Sequence, residues 1–128
     1  MARKTISSQK APKAIGPYAH AVWAGDLLYC SGQTPIDPAT GNLVAGGIIE
    51  QTRQAFNNLE TVLSSAGLTT EDVIKVNVYL TSMANFAGMN QVYQQRFAAP
   101  YPARTTVAVA ELPLQALVEI EWIARKSK

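Results

Sequence analysis

The first third of the chain alternates apolar and polar positions, which is the pattern of short β-strands. Strands are predicted at residues 4–7, 19–24 and 27–31, and the Gly25-Asp26 pair between the last two favours a tight hairpin turn. Residues 35–47 hold two prolines and three glycines and are predicted to form a loop.

Helical spacing replaces this alternation in two later stretches of the chain. The first runs from Ile48 to Ala66, and Gly67 is a residue type that commonly follows a helix end. The second lies between Phe86 and Phe97 and ends before the prolines at 100 and 102. Three more strands are predicted at residues 73–81, 105–109 and 117–124. Residues 1–128 are therefore predicted to form one α+β domain with two helices and about six strands.

Two helices cover only one face of such a sheet, so the two faces of each strand should differ in character. The predicted core face of the last strand is wholly apolar: Val118, Ile120, Trp122 and Ala124. Its other face is mixed and carries two carboxylates: Leu117, Glu119, Glu121 and Ile123. In strand 73–81 the predicted core face is Ile74, Val76, Val78 and Leu80. A subunit interface that contains a small polar cleft would suit the mixed face.

Composition is typical of a soluble, cytoplasmic domain of ordinary size. The 128 residues are 48% apolar and 16% charged, which suits one packed core and argues against disorder. No apolar run approaches the roughly 20 residues of a membrane helix, and the first residues lack the pattern of a secretory signal. One cysteine excludes an intrachain disulfide, and one cysteine with one histidine argues against a metal site. No metal and no cofactor are predicted.

The formal charge of +2 is distributed unevenly. Most basic residues lie near the two ends of the chain: Arg3, Lys4, Lys10, Lys13, Arg125, Lys126 and Lys128. The middle keeps four basic residues against all nine acidic ones, which leaves it negative. A nucleic-acid binder usually carries a basic stripe across its folded surface, so this distribution favours solvated termini over a nucleic-acid partner.

Common catalytic motifs are absent from the sequence. It has no phosphate-binding loop, no dinucleotide-binding fingerprint, no HExxH and no CxxC. His20 is the one histidine, and its alternating segment favours a histidine on the surface of a strand over a catalytic one. Cys30, between Tyr29 and Ser31 in a predicted strand, is predicted to be a buried and unreactive thiol.

Three local sequences remain as candidates for chemistry. Residues 15–18 (Ile-Gly-Pro-Tyr) precede a strand, and residues 29–33 (Tyr-Cys-Ser-Gly-Gln) end one, where a hydroxyl and a backbone N–H could face a ligand. Arg104 follows Pro100 and Pro102, which restrict the backbone, and its planar guanidinium suits a carboxylate. Each has a plain alternative: a glycine-proline turn, a turn at the end of a strand, and a surface salt bridge.

Together these segments resemble the Rid/YjgF/UK114 family of reactive-intermediate deaminases. The resemblance runs from Ala11 to Ala124 and rests on five segments in order: IGPYAHAV (15–22), YCSGQTP (29–35), FAGMNQVYQQRF (86–97), PARTTVAV (102–109) and VEIEWIA (118–124). It implies a chorismate-mutase-like α+β fold with a mixed sheet and both helices on one face. It also implies a homotrimer with clefts between the subunits, in agreement with the mixed sheet face.

The activity implied by the resemblance is hydrolysis of 2-enamino and 2-imino acids, such as 2-aminoacrylate, 2-iminopropanoate and 2-iminobutanoate, to 2-oxo acids and ammonia. Arg104 matches the arginine that binds the substrate carboxylate, and Glu119 matches the acidic residue that orients the attacking water. Thr106 is also expected to contact the substrate, and it stands where many deaminases of the family have a cysteine, a difference that bears on substrate preference. Other cleft residues matched by motif are Tyr18, Ser31, Gly32 and Asn90. Pyridoxal-phosphate dehydratases or transaminases are the expected sources of the substrate.

Two other functions stay open. One is a ribonuclease acting on messenger RNA, which the basic termini allow and the negative middle disfavours. The other is a non-catalytic binder of 2-oxo acids in the same clefts. Glu119 distinguishes an enzyme from such a binder, because binding alone has little use for a carboxylate that directs water.

Overall fold

Six strands form one sheet in the computed structural model, which describes residues 2–126. Met1, Ser127 and Lys128 lie outside the described residues, and with them the last of the basic residues predicted near the C-terminus. The strands are β1 (Lys4–Ile6), β2 (Ala21–Ala24), β3 (Leu27–Gln33), β4 (Val73–Leu80), β5 (Ala103–Ala108) and β6 (Val118–Arg125). Their order across the sheet is β1-β2-β3-β6-β4-β5. Strands β4 and β5 run parallel, and the other neighbouring pairs are antiparallel.

Both helices, α1 (Ile48–Ser65) and α2 (Phe86–Arg96), pack on the same face of this sheet. Phe56 of α1 lies edge-on to Trp122 of β6 and to Tyr93 of α2, with 5.8 Å between ring centroids in each pair. The predicted α+β fold, with a six-stranded mixed sheet and two helices on one face, is confirmed. Within residues 2–126, no helix is long and apolar enough to cross a lipid bilayer.

The ends of the helices follow from the sequence. Gly67 has a φ of +76°, the left-handed conformation that suits glycine, and its N–H donates to the Ser64 carbonyl at 3.0 Å. At the end of α2, Phe97 turns to an extended conformation and its side chain enters the core. Both helices therefore stop where the glycine and the following prolines predict.

The core face of β6 is buried as predicted, but one residue of β4 was assigned to the wrong face. Val73 pairs with Ala124 and Lys75 pairs with Ile123, so β4 has one extra residue at this point. This bulge turns Ile74 outward, where it is 42% exposed, and buries Val73 in its place. Where a bulge interrupts a strand, the alternation of apolar and polar residues no longer shows which side chains face the core.

The prediction that His20 lies on the surface of a strand is wrong. Its side chain is 6% exposed, and β2 begins only at Ala21. The Ser8 N–H donates to Nδ1 at 3.0 Å, and Nε2 donates to the Pro12 carbonyl at 2.8 Å. Because Nδ1 accepts a hydrogen bond and Nε2 donates one, the ring is neutral and carries its proton on Nε2. His20 therefore fastens residues 8–12 to the sheet.

Candidate active site

A bulge in β3 shapes the first part of the site. Cys30 pairs with Trp122 and Gln33 pairs with Ile120, so three steps along β3 oppose two along β6. The extra residue falls within Ser31-Gly32, where the ladder is interrupted. The strand was predicted to end at residue 31, but it continues to Gln33. The Ser-Gly pair thus lies inside the sheet rather than in a turn at the end of a strand.

Ser31 holds the neighbouring segment that carries Tyr18. Its hydroxyl donates to the Ala19 carbonyl at 2.6 Å, and its N–H donates to the His20 carbonyl at 2.9 Å. The Ser31 hydroxyl has therefore used its one proton and can only accept a hydrogen bond from a ligand. Tyr18 is left 48% exposed beside the bulge.

Gly32 and Glu119 are in direct contact. A β-carbon at position 32 would overlap Glu119 Oε2 and would lie 3.1 Å from Glu119 Cδ. The carboxyl group of Glu119 therefore occupies the space that a side chain at position 32 would need. Glycine at position 32 thus permits a close approach of the Glu119 carboxyl group and does not serve an unusual backbone conformation.

Four of the predicted site residues line one cavity of about 540 Å³: Tyr18, Ser31, Gly32 and Glu119. Its walls also include Lys13, Pro113 and Glu121. Glu119 pairs with Tyr79, on the face of the sheet that the helices leave uncovered. We call this cavity the glutamate groove.

Two effects raise the pKa of the Glu119 carboxyl group above its ordinary value. The larger is burial, and the smaller is repulsion by the negative charge of Glu121. A carboxyl group with a raised pKa exchanges its proton closer to neutral pH than an exposed glutamate does. This property suits a group that both gives and takes protons.

Arg104 and Asn90 line a second cavity of about 390 Å³, which we call the arginine pocket. Arg104 Nη1 donates to Asn90 Oδ1 at 2.6 Å. The guanidinium carbon lies 4.6 Å from the ring centroid of Tyr93 and 5.6 Å from that of Phe86. An amide oxygen and two aromatic faces on α2 thus hold the guanidinium in place.

The surface salt bridge considered for Arg104 is not observed. The ion pair found in the described part of the chain joins Arg96 to Glu60, and Arg104 takes no part in it. Apart from the bond to Asn90, the guanidinium donors of Arg104 bond to no other residue between 2 and 126. Those donors face a pocket and can bind an anion.

Sequence analysis did not identify Tyr93 as a contact of Arg104. Phe86, Asn90 and Tyr93 follow one another at spacings of four and three, which places them on one side of α2. That spacing was the available signal. Burial raises the pKa of the Tyr93 phenol, and the charge of Arg104 acts in the opposite direction.

Thr106 lies two residues beyond Arg104 on the same side of β5. It pairs with Val78 in the register of the sheet, and its hydroxyl is buried without a hydrogen-bond partner among residues 2–126. It does not line the arginine pocket. The structure therefore places Thr106 beside Arg104 but leaves its predicted contact with the substrate untested.

The glutamate groove and the arginine pocket lie on opposite faces of the sheet. Arg104 pairs with Val76, whose side chain is buried under the helices, whereas Glu119 pairs with Tyr79 on the other face. Strand β4 also separates the two residues within the sheet. One small molecule therefore cannot contact Arg104 and Glu119 of the same chain at once.

Cys30 has the environment predicted for it. It is a buried free cysteine, and burial raises the pKa of its thiol to about 12. A thiol that stays protonated at neutral pH is a poor nucleophile. Among residues 2–126, no group of three or more histidine, cysteine, aspartate or glutamate side chains is placed to hold a metal ion.

Comparison with known proteins identifies the family. Residues 8–126 match the family model described as endoribonuclease L-PSP, the Rid/YjgF group. The chain belongs to this family. A RutC family protein of Pyrococcus horikoshii is 49% identical over 124 residues, which cover 97% of this chain and 98% of that protein.

Two further proteins are similar to this chain along nearly its whole length. The 2-iminobutanoate/2-iminopropanoate deaminase of Mus musculus is 45% identical over 122 residues, covering 95% of this chain and 90% of the mouse protein. The crystal structure of E. coli TdcF with bound serine has a TM-score of 0.91 and 41% identity, covering 97% of this chain and 99% of that one. The predicted membership of the Rid/YjgF family is confirmed.

Proposed function

We propose that this Rid/YjgF family protein hydrolyses small 2-imino and 2-enamino acids to 2-oxo acids and ammonia. The observation that carries the proposal is a guanidinium held ready by Asn90 and two aromatic rings, with donors free to bind a carboxylate. The mammalian relatives named as 2-iminobutanoate/2-iminopropanoate deaminases, 44–45% identical, support the same reaction. A cytoplasmic location and a supply of substrate by pyridoxal-phosphate enzymes stay predictions.

Arg104 would bind the carboxylate that every substrate of this class carries. Its planar guanidinium can form two parallel hydrogen bonds to a carboxylate. Its contacts with α2 and with Tyr93 reduce the entropy lost when a substrate binds. The arginine pocket thus fits the constant part of the substrate and leaves the side chain to vary.

Glu119 would act at the carbon that loses nitrogen. The enamine first becomes an imine, and water adds to C2 of the imine to give a carbinolamine. The carbinolamine then expels ammonia and leaves a 2-oxo acid. Glu119, with its raised pKa, would orient the water, take its proton and return a proton to the departing nitrogen.

One substrate can meet both residues only where two copies of the chain adjoin. Arg104 and Glu119 are on opposite faces of one sheet, but a second copy could place its arginine pocket over the glutamate groove of the first. The homotrimer that the family resemblance implies would supply such contacts. We therefore propose three composite sites, each with Arg104 from one subunit and Glu119 from its neighbour.

The test is a coupled assay in which a dehydratase releases 2-aminoacrylate and the appearance of pyruvate is followed. The wild-type protein should accelerate this step. Arg104→Lys keeps the charge but loses the planar pair of donors, so kcat/KM should fall on the order of 100-fold. Arg53→Lys is the matched control, because the Arg53 side chain is exposed and forms no hydrogen bond within residues 2–126. Equal activity in wild type and Arg104→Lys would refute the assignment of Arg104.

Glu119→Gln separates an enzyme from a binder of 2-oxo acids. The substitution keeps the size of the side chain but removes its charge and its ability to take a proton. Turnover should fall by roughly 10²–10⁴-fold, while pyruvate should still bind as measured by calorimetry. If wild type bound pyruvate but accelerated nothing, the protein would be a binder.

A ribonuclease is the second candidate, since the matching family carries that name. Lys4 pairs with Trp23, Trp23 with Leu28, and Leu28 with Ala124, which precedes Arg125. Basic residues from both termini thus lie at one end of the sheet. Cleavage of a defined messenger RNA by the purified protein, abolished when these residues are replaced and unaffected by Arg104→Lys, would favour this candidate.

A further inference from the structure

The two carboxylates of the glutamate groove have unequal surroundings. Glu121 accepts hydrogen bonds from the Tyr79 hydroxyl and, at 3.3 Å, from Asn77 Nδ2, both on β4. Glu119 accepts none from residues 2–126 and lies against Gly32 instead. The two glutamates lie two residues apart on one strand face, a spacing of roughly 6–7 Å.

Two carboxylates at this spacing repel each other when both are charged, so one of them binds a proton more readily than the other. Burial disfavours the charged form of Glu119, whereas Glu121 accepts two hydrogen bonds from β4. The bond to Glu121 also raises the pKa of Tyr79 to about 12, so this hydroxyl keeps its proton and stays a donor. The proton is therefore directed to Glu119.

We propose that Glu121, bound by Tyr79 and Asn77, is a positioning residue that holds the transferable proton on Glu119. The proposal rests on the proposed function, because it assigns a purpose to a proton on Glu119 in deamination. Glu121 itself would not touch the reacting carbon. The titratable groups that face Glu119 from the groove and from β4 are Lys13, Tyr18, Tyr79 and Glu121. In the composite site proposed above, Arg104 of the neighbouring subunit would face it as well.

The plain alternative is that Tyr79, Asn77 and Glu121 only tie β4 to β6. The two roles differ in one observable quantity, the pH at which Glu119 titrates. Glu121→Gln keeps an oxygen that can accept both hydrogen bonds but removes the charge. A structural tie would survive this change, whereas a role in directing the proton would not.

The experiment measures two pH dependences in wild type, Glu121→Gln and Tyr79→Phe. The first is the acid limb of kcat in the coupled assay. The second is the titration of the Glu119 carboxyl carbon by ¹³C NMR, identified by the signal lost in Glu119→Gln. Glu71→Gln is the control, because it removes an exposed carboxylate beyond the far end of β4.

In Glu121→Gln, both midpoints should move to lower pH by about one unit, since a neighbouring negative charge no longer opposes loss of the proton. In Tyr79→Phe, Glu121 keeps its carboxyl group and the hydrogen bond from Asn77, so both midpoints should move less than in Glu121→Gln. Unchanged midpoints in Glu121→Gln, a shift to higher pH, or an equal shift in Glu71→Gln would overturn the proposal.

The NMR arm keeps this proposal separate from the proposed function. A wild-type protein without deaminase activity would refute the proposed function, and the Glu119 titration would still decide whether Glu121 directs the proton. Conversely, full activity with superimposable titration curves in wild type and Glu121→Gln would refute only the role of Glu121.

Discussion

At the scale of single residues, the position of each proposed catalytic side chain depends on a residue from a neighbouring element. Gly32 leaves the space that the Glu119 carboxyl group occupies. Arg104 depends in the same way on Asn90 and Tyr93 of α2. In both cases the residue that would do chemistry is held by a neighbour that would do none.

Gly32→Ala should displace Glu119 while leaving the fold intact. The added methyl group meets the far end of a flexible side chain, so the carboxyl group can move away at little cost in stability. A displacement of about 1 Å can reduce turnover by about 10²-fold, and we expect a loss of kcat of this order. The measurement is the coupled assay together with thermal unfolding.

Gly47→Ala is the control for this prediction, because a β-carbon there meets nothing within 4 Å. If Gly32→Ala retained full activity, the position of the Glu119 carboxyl group would not matter for turnover. If it unfolded the protein instead, the contact would be structural.

At the scale of elements, the irregular segment before β2 forms one wall of the glutamate groove. His20 is hydrogen-bonded to the backbone at Ser8 and Pro12, and Ser31 is bonded to the carbonyl of Ala19. These contacts hold the stretch that brings Lys13 to the glutamate groove. One wall of the groove is therefore a loop fastened to the sheet by a few side chains.

His20→Leu should loosen this wall. It leaves the Ser8 N–H and the Pro12 carbonyl without partners, so we expect the free energy of unfolding to fall by about 2 kcal/mol, measured by urea denaturation. KM for the imine should rise more than kcat falls, because the groove is deformed while Glu119 stays on β6. A variant with normal stability and normal KM would show that the ring does not hold the segment.

Periodicity was sufficient to predict the elements of this fold, because the longer ones, such as α1 and β6, have one clearly apolar face. It failed at Ile74 and at residues 31–33, where bulges shift the alternation by one residue. It also failed at His20, since a buried hydrogen-bonded ring and an exposed one have the same local sequence. The split between Arg104 and Glu119 needed the strand order, which no local pattern contains.

At the scale of the whole molecule, the proposed site requires at least two copies of the chain, because Arg104 and Glu119 lie on opposite faces of one sheet. Each chain has half of the proposed chemistry on each side of its sheet, so a lone copy should be inactive. Light scattering at micromolar concentration should return the mass of three chains. A monomer that deaminates imines would contradict the composite site.

Mixing two inactive variants gives the sharpest test of this arrangement. Arg104→Lys and Glu119→Gln subunits, co-expressed in equal amounts, should form some sites with an intact Arg104 from one copy and an intact Glu119 from the other. Random assembly of a cyclic oligomer predicts recovery of about one quarter of the wild-type activity. If both residues served the same substrate from one chain, the mixture would remain inactive.

The contact between Gly32 and Glu119 also constrains how this protein can diverge. A lineage that replaced Glu119 with a short side chain would free the space over Gly32, and alanine or serine could then be fixed there without penalty. A lineage that keeps the glutamate must keep the glycine. Substitutions at the two positions should therefore appear in a fixed order, with the glutamate lost first, and descendants that retain neither residue should have given up the imine chemistry.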